Sequence, residues 1–114
     1  MLRALPLLLL VACGVAARPQ VNVLGVARGE RLLVEVHNPT DHDLSLRAFD
    51  WTLAAAGQTV DKGTLEVRRT VQPGGSTILE LPISSRPTGA YRLDGHLRAG
   101  DQADWRVSVR GRFQ

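Results

Sequence analysis

After Pro19, apolar and polar positions alternate with a period of two, the mark of strands with one buried face. Val21, Val23, Leu24 and Val26 outline a first strand. From Arg31 to His37, Leu32, Val34 and Val36 share one face while Glu35 and His37 share the other. From Leu44 to Ala55 the phase slips by one residue: Leu44, Leu46 and Ala48 alternate, then Phe49, Trp51 and Leu53 take over. Such a slip predicts a bulge, or a strand that bends between sheets. Ala56-Gly57-Gln58 makes a turn. Thr59 to Val71 holds one strand or two short ones, with Gly63 as the expected interruption. Gln72-Pro73-Gly74-Gly75 is a further turn. Leu79, Leu81 and Ile83 then alternate with Ile78, Glu80 and Pro82. Pro82 has no N–H to give a ladder, so it predicts a sheet edge or a strand end. Past a loop at Ser85 to Gly89, Tyr91, Leu93, Gly95 and Leu97 alternate with Arg92, Asp94, His96 and Arg98. Ala99 to Asp104 turns the chain into a last strand. There Trp105, Val107, Val109, Gly111 and Phe113 alternate with Arg106, Ser108, Arg110 and Arg112.

About seven short strands separated by turns predict an all-β fold, an antiparallel sandwich of the immunoglobulin or fibronectin-III kind. No stretch keeps helical spacing for long. Residues 46–56 come nearest, and their β-rich neighbours and Gly57 favour a strand. The chain has 114 residues, 44% of them apolar. That is the size of one domain, with enough apolar material for one core. Its one cysteine excludes an internal disulfide and a cysteine-based zinc site.

That cysteine, Cys13, is more informative by position than by number. MLRALPLLLLVAC has a basic residue, a short apolar run and small residues, the layout of a secretory signal. Its apolar stretch is far shorter than the ~20 residues of a membrane-spanning helix. Leu10-Val11-Ala12-Cys13 resembles the bacterial lipobox, in which the chain is cut before the cysteine and the cysteine is then acylated. The expected organisation is a signal peptide over residues 1–12, a lipidated cysteine and tether over 13–19, and a β-sandwich over 20–114. Three acyl chains on one residue anchor essentially permanently, at roughly 0.8 kcal/mol per buried CH₂. Gly14 stands where an inner-membrane retention aspartate often follows such cysteines. The expected location is therefore the cell envelope, at an outer membrane facing the periplasm. The expected partners are the membrane itself, through the lipid on Cys13, and an envelope protein.

Lys and Arg number 14 against 11 Asp and Glu. Lys62 is the only lysine, and loss of Arg3 with a signal peptide leaves 13 − 11 = +2. So small an excess, with 4% aromatics, gives no footing for nucleic acid as a partner. The arginines are nonetheless patterned. Arg92 and Arg98 share one strand's polar face, and Arg106, Arg110 and Arg112 share the next one's. Paired strands would join them into a basic stripe, broken by Asp94 and suited to anionic lipid headgroups. A solvated arginine face is the plainer reading.

HNPTDHD, residues 37–43, holds two histidines and two aspartates, which invites a metal site. A zinc site needs three or four converging ligands with support behind them. Strand phase sends His37 to the polar face with Glu35, and the remaining residues fall in a turn. Pro39 ends the ladder, while Asn38 or Asp41 caps the turn through backbone amides. No metal and no other cofactor is expected. Ser76 and Thr77 belong to no nucleophile elbow, and Gly74-Gly75 forms no phosphate loop. Asp41/Asp43 and Asp94/Asp101/Asp104 fall in turns or on outer faces, where a carboxylate lacks the burial acid–base work requires. The chain is not expected to be an enzyme. Phe49, Trp51 and Trp105 alternate with apolar neighbours, so they are expected in the core rather than on a ligand.

One further resemblance covers roughly residues 20–113. Leu33-Val34-Glu35-Val36-His37-Asn38-Pro39-Thr40 resembles the second strand and Asn-Pro motif of the group 2 late-embryogenesis-abundant proteins. Their domain is called WHy, for water stress and hypersensitive response. Leu44 to Gly57, Thr70 to Leu81 with Pro73-Gly74-Gly75-Ser76, Tyr91-Arg92-Leu93-Asp94-Gly95 and Val109-Arg110-Gly111 continue the likeness in order. The resemblance implies an antiparallel β-sandwich, often with one helix. The short, proline-containing stretch after Ile83 argues against that helix here. It also implies binding or protection under desiccation or osmotic stress, and brings no catalytic residues. The alternative is an adaptor of an envelope assembly or transport complex that binds through an exposed sheet edge.

Overall fold

The structure, a computed structural model, describes residues 18–113 apart from 29, 85, 101 and 102. Cys13, the signal segment and most of the tether lie outside the described residues.

Seven antiparallel strands form two facing sheets: β1 (Gln20–Ala27), β2 (Arg31–His37), β3 (Leu44–Ala55), β4 (Gln58–Val71), β5 (Ser76–Pro82), β6 (Gly89–Ala99) and β7 (Ala103–Phe113). The first sheet has the order β1-β2-β5 and the second β4-β3-β6-β7. The inward residues of both sheets meet in one core, with Leu32, Val34, Leu79 and Leu81 on one side and Phe49, Trp51, Leu53, Leu93 and Leu97 on the other. The expected sandwich is the observed one. No helix interrupts the described residues between β5 and β6, where Ile83 and Pro87 are buried instead.

Two register breaks follow from the sequence pattern. In β1 the pairing shifts between Val23 and Gly25. The extra residue turns Leu24 outward, 50% exposed, and returns Val26 to the core side. In β3 the register shifts between Leu46 and Ala48 against both neighbouring strands. The phase slip is thus a bulge, and β3 stays in one sheet throughout.

Gly63 is a correction. It does not interrupt the strand; β4 runs unbroken over 14 residues. Trp51 lies between Gly63 on β4 and Gly95 on β6 in the register, and its indole overlies Gly63. A β-carbon on Gly95 would overlap the Asp50 carbonyl of the neighbouring strand, so only glycine admits this close approach. The β3–β4 hairpin turns on Ala56 (φ 53°) and Gly57 (φ 80°), both left-handed, as a two-residue hairpin turn requires.

Polar clasps close the two sides where the sheets' edges meet. Between β4 and β5, Arg69 donates to Thr77 Oγ1 at 3.0 Å and to the Ile78 carbonyl. Asp61 Oδ2 accepts from the Ser84 amide at 2.6 Å. On the opposite side, Arg18 donates to the Arg106 carbonyl at 2.8 Å and ties the start of the described chain to β7.

Candidate functional site

Asn38 is 0% exposed and the one polar residue of the described chain that is buried. It sits one residue past β2, where Pro39 stops the ladder. Its Nδ2 donates to the His42 carbonyl at 2.8 Å and to the Val71 carbonyl at 2.9 Å. Its Oδ1 accepts from the Thr40 amide at 3.0 Å and the Thr40 hydroxyl at 2.7 Å. Its backbone N–H donates to Gly75 at 2.9 Å, and its backbone carbonyl accepts from Gly74 at 2.8 Å. The Asn38 side chain thus ties the 39–43 turn to the end of β4, and its backbone fastens the turn before β5. Asn38, not Asp41, caps the turn. Asp41 instead lies 3.2 Å from His42 Nδ1, with both side chains exposed.

The two histidines of HNPTDHD have separate partners. His37 is half-buried, paired with Ser76 across β2 and β5, and its Nδ1 lies 2.9 Å from Ser76 Oγ. His37 thus lies on the outer face with Glu35, as strand phase predicts, and is half covered there. Among the described residues no group of three or more His, Cys, Asp or Glu stands together as ligands for a metal.

The outer face of the second sheet carries the predicted arginines. Register places Arg92 opposite Arg110, His96 opposite Arg106, and Ala90 opposite Arg112. The expected stripe is only partly realised, because carboxylates take up its β6 half. Arg92 Nε lies 2.8 Å from Asp94 Oδ2, and Arg98 Nη2 lies 2.7 Å from Asp50 Oδ2. Asp50 also accepts from Thr64 Oγ1 at 2.8 Å, and Asp104 lies 3.0 Å from His96 Nδ1. Partial desolvation would raise the Asp94 pKa. Hydrogen bonds from Ser108 and Arg92, with the charges of Arg92 and Arg110, outweigh it and hold the carboxyl below its ordinary value. Among the described residues no ion pair involves Arg106, Arg110 or Arg112. The arginines of the stripe that stand outside these ion pairs therefore lie on β7, an edge strand, with Arg110 still close enough to act on Asp94.

Sequence reasoning missed the neighbours of that edge. Arg18 lies beside Arg106, and Arg86 lines a cleft of about 270 Å³ with Leu24, Arg112 and Phe113. Only the pairing of chain ends with sheet edges brings these residues together, and no local spacing announces it. At the same end Tyr91 stacks on Phe113 with ring centroids 4.3 Å apart, and its ring occupies the space above Gly111. Burial pushes the Tyr91 hydroxyl pKa up. Phe49 and Trp51 are core residues, while Trp105 is partly buried against the core.

The late embryogenesis abundant protein family model matches residues 33–114, more than half of the chain. A late embryogenesis abundant protein solved in solution is similar over 90% of this chain and 71% of its own, with 21% identity and a TM-score of 0.57. A solution structure from Arabidopsis thaliana is similar over 81% of this chain and 74% of its own, at 19% identity and a TM-score of 0.53. A structural-genomics crystal structure covers 84% of each chain, at 13% identity and a TM-score of 0.52. At such identities the likeness is one of fold. No curated protein matches the chain.

Proposed function

The chain belongs to the late embryogenesis abundant family, and from that premise we propose that it is a lipid-anchored, non-enzymatic sandwich of the cell envelope acting in desiccation or osmotic stress. The observation that carries the reading is the joining of a family domain over residues 33–114 to Leu10-Val11-Ala12-Cys13. Residues 1–12 are then a signal peptide, Cys13 to Pro19 a lipidated tether, and the rest the domain, held at an outer membrane and facing the periplasm.

The chemistry of the described face supports a binding or protecting role over catalysis. Asp50 and Asp94 are tied to Arg98 and Arg92, and the Asp94 pKa is lowered, the reverse of what a general acid needs. Asn38 and Pro39 serve the fold, because every polar atom of the Asn38 side chain is spent on the chain itself.

Cys13→Ala tests the anchor. In the native host, the wild type sediments with membranes and the variant appears in the soluble fraction. A variant that stays with membranes as the wild type does contradicts the reading. The alternative, an envelope adaptor, is favoured by the position of β7 at the edge of its sheet and predicts one specific protein crosslinked to it. Stress protection predicts that a client enzyme survives drying without stoichiometric binding.

A further inference from the structure

β1 and β7 are outermost strands of their sheets and lie on the same side of the sandwich. The chain enters on that side, where Arg18 is fastened to the Arg106 carbonyl at 2.8 Å. Arg18 stands five positions after Cys13, a reach of at most about 18 Å. That is roughly half the length of the 11-residue β7. A domain held so closely meets the membrane first with the surface beside its tether.

The composition of that surface suits such a contact. Arg106, Arg110 and Arg112 share one face of β7 and spread over about 20 Å. Arg86 joins Arg112 at the far end, beside Leu24 and Phe113. Among the described residues, none of these arginines nor Arg18 is in an ion pair. Leu24, 50% exposed, is held outward by the β1 bulge. An exposed aliphatic side chain flanked by guanidinium groups matches an interface where phosphates lie above acyl chains. Arginine's planar fork fits phosphate oxygens bidentately.

We propose that the β1/β7 side of the sandwich is a membrane-docking surface, with Arg18, Arg86, Arg106, Arg110 and Arg112 contacting the phosphates of anionic lipids and Leu24 entering the interface. This inference rests on the anchored reading of Cys13. It adds a fixed orientation: β7 lies against the bilayer, and β4 and β5 face away from it.

The test uses the full lipidated chain in vesicles. Single cysteines at Ser108 (S108C, on β7) and Thr64 (T64C, on β4) carry a fluorophore, and quenching by headgroup-labelled lipid is measured. On phosphatidylglycerol–phosphatidylethanolamine vesicles the Ser108 site is quenched several-fold more than the Thr64 site. The difference collapses on phosphatidylcholine, and at about 1 M salt, where the Debye length is about 3 Å. Each arginine near an anionic surface shifts the docked population about fivefold, so Arg106→Gln, Arg110→Gln and Arg112→Gln together shift it about a hundredfold. Equal charge removal at Arg31, Lys62 and Arg68 leaves the difference within about twofold. Equal quenching at both sites, or a difference indifferent to salt and lipid charge, overturns the proposal while the anchor stands. Protein that leaves the membrane fraction with Cys13 intact overturns both.

Discussion

Replacing Asn38 with alanine removes four side-chain hydrogen bonds from one buried point. The Val71 carbonyl loses its donor in a buried setting, worth about 2 kcal/mol as an unsatisfied acceptor. The His42 carbonyl and the Thr40 amide and hydroxyl are part-buried, and each loses about 0.5–1 kcal/mol of net bonding. The sum is about 4 kcal/mol, a large part of the 5–15 kcal/mol that stabilises a typical domain. For roughly 100 residues it corresponds to a melting point lower by about 15–25 °C. Asn38→Asp keeps the shape but turns two donors into an anion facing two carbonyl oxygens. The carboxyl pKa in the folded state is then raised above its unfolded value of about 4. A raised acid pKa destabilises most at neutral pH. Stability therefore recovers as pH falls through the folded value, and the recovery is complete below about pH 4. Urea unfolding followed by the fluorescence of the buried Trp51 measures both effects. An Asn38→Ala protein within 1 kcal/mol of the wild type, or an Asn38→Asp protein whose deficit does not shrink in acid, would refute the reasoning.

Three other substitutions probe separate links in the account. Gly95→Ala drives a β-carbon into the Asp50 backbone and should cost about 3 kcal/mol, the upper end of overpacking; Gly63→Ala, whose new carbon sits 3.3 Å from the Trp51 ring edge, should cost well under half as much in the same urea titration. Ala56→Asn relieves a left-handed alanine (φ 53°) and should stabilise by about 0.5–1 kcal/mol, read as a higher urea midpoint at unchanged slope. Asp94 has a lowered pKa, so its contribution is present above about pH 4 and fades as pH falls through its folded value. Because Asp94 is 40% exposed the effect is small and screened by salt, and Asp94→Asn should flatten the acid limb of the stability profile below about pH 4.

Strand phase made most of the fold legible, because each of the core strands β2, β3, β5 and β6 buries alternate residues. The β3 bulge showed as a slip of one position between Leu46 and Phe49. Gly63 misled because a glycine in a strand usually weakens it. Here the missing side chain makes room for Trp51 on the adjacent strand, a relation between strands that the local sequence does not contain. The arginines show the same limit. Phase put Arg92, Arg98, Arg106, Arg110 and Arg112 on outer faces, but their charge balance depends on register. Asp50, more than forty residues away in sequence, neutralises Arg98, and Asp94 neutralises Arg92 along its own strand. Asn38 was legible as a turn residue. Its burial was not, since the Val71 carbonyl that it binds belongs to a strand thirty-three residues on.

The central claim is that a family sandwich is held at the cell envelope by lipid on Cys13. The most direct measurement is the mass of the N-terminal peptide of the protein purified from the host's membranes. The account predicts a chain that begins at Cys13 and carries the mass of attached acyl chains. A chain that begins elsewhere, or a Cys13 with a free thiol, would contradict it.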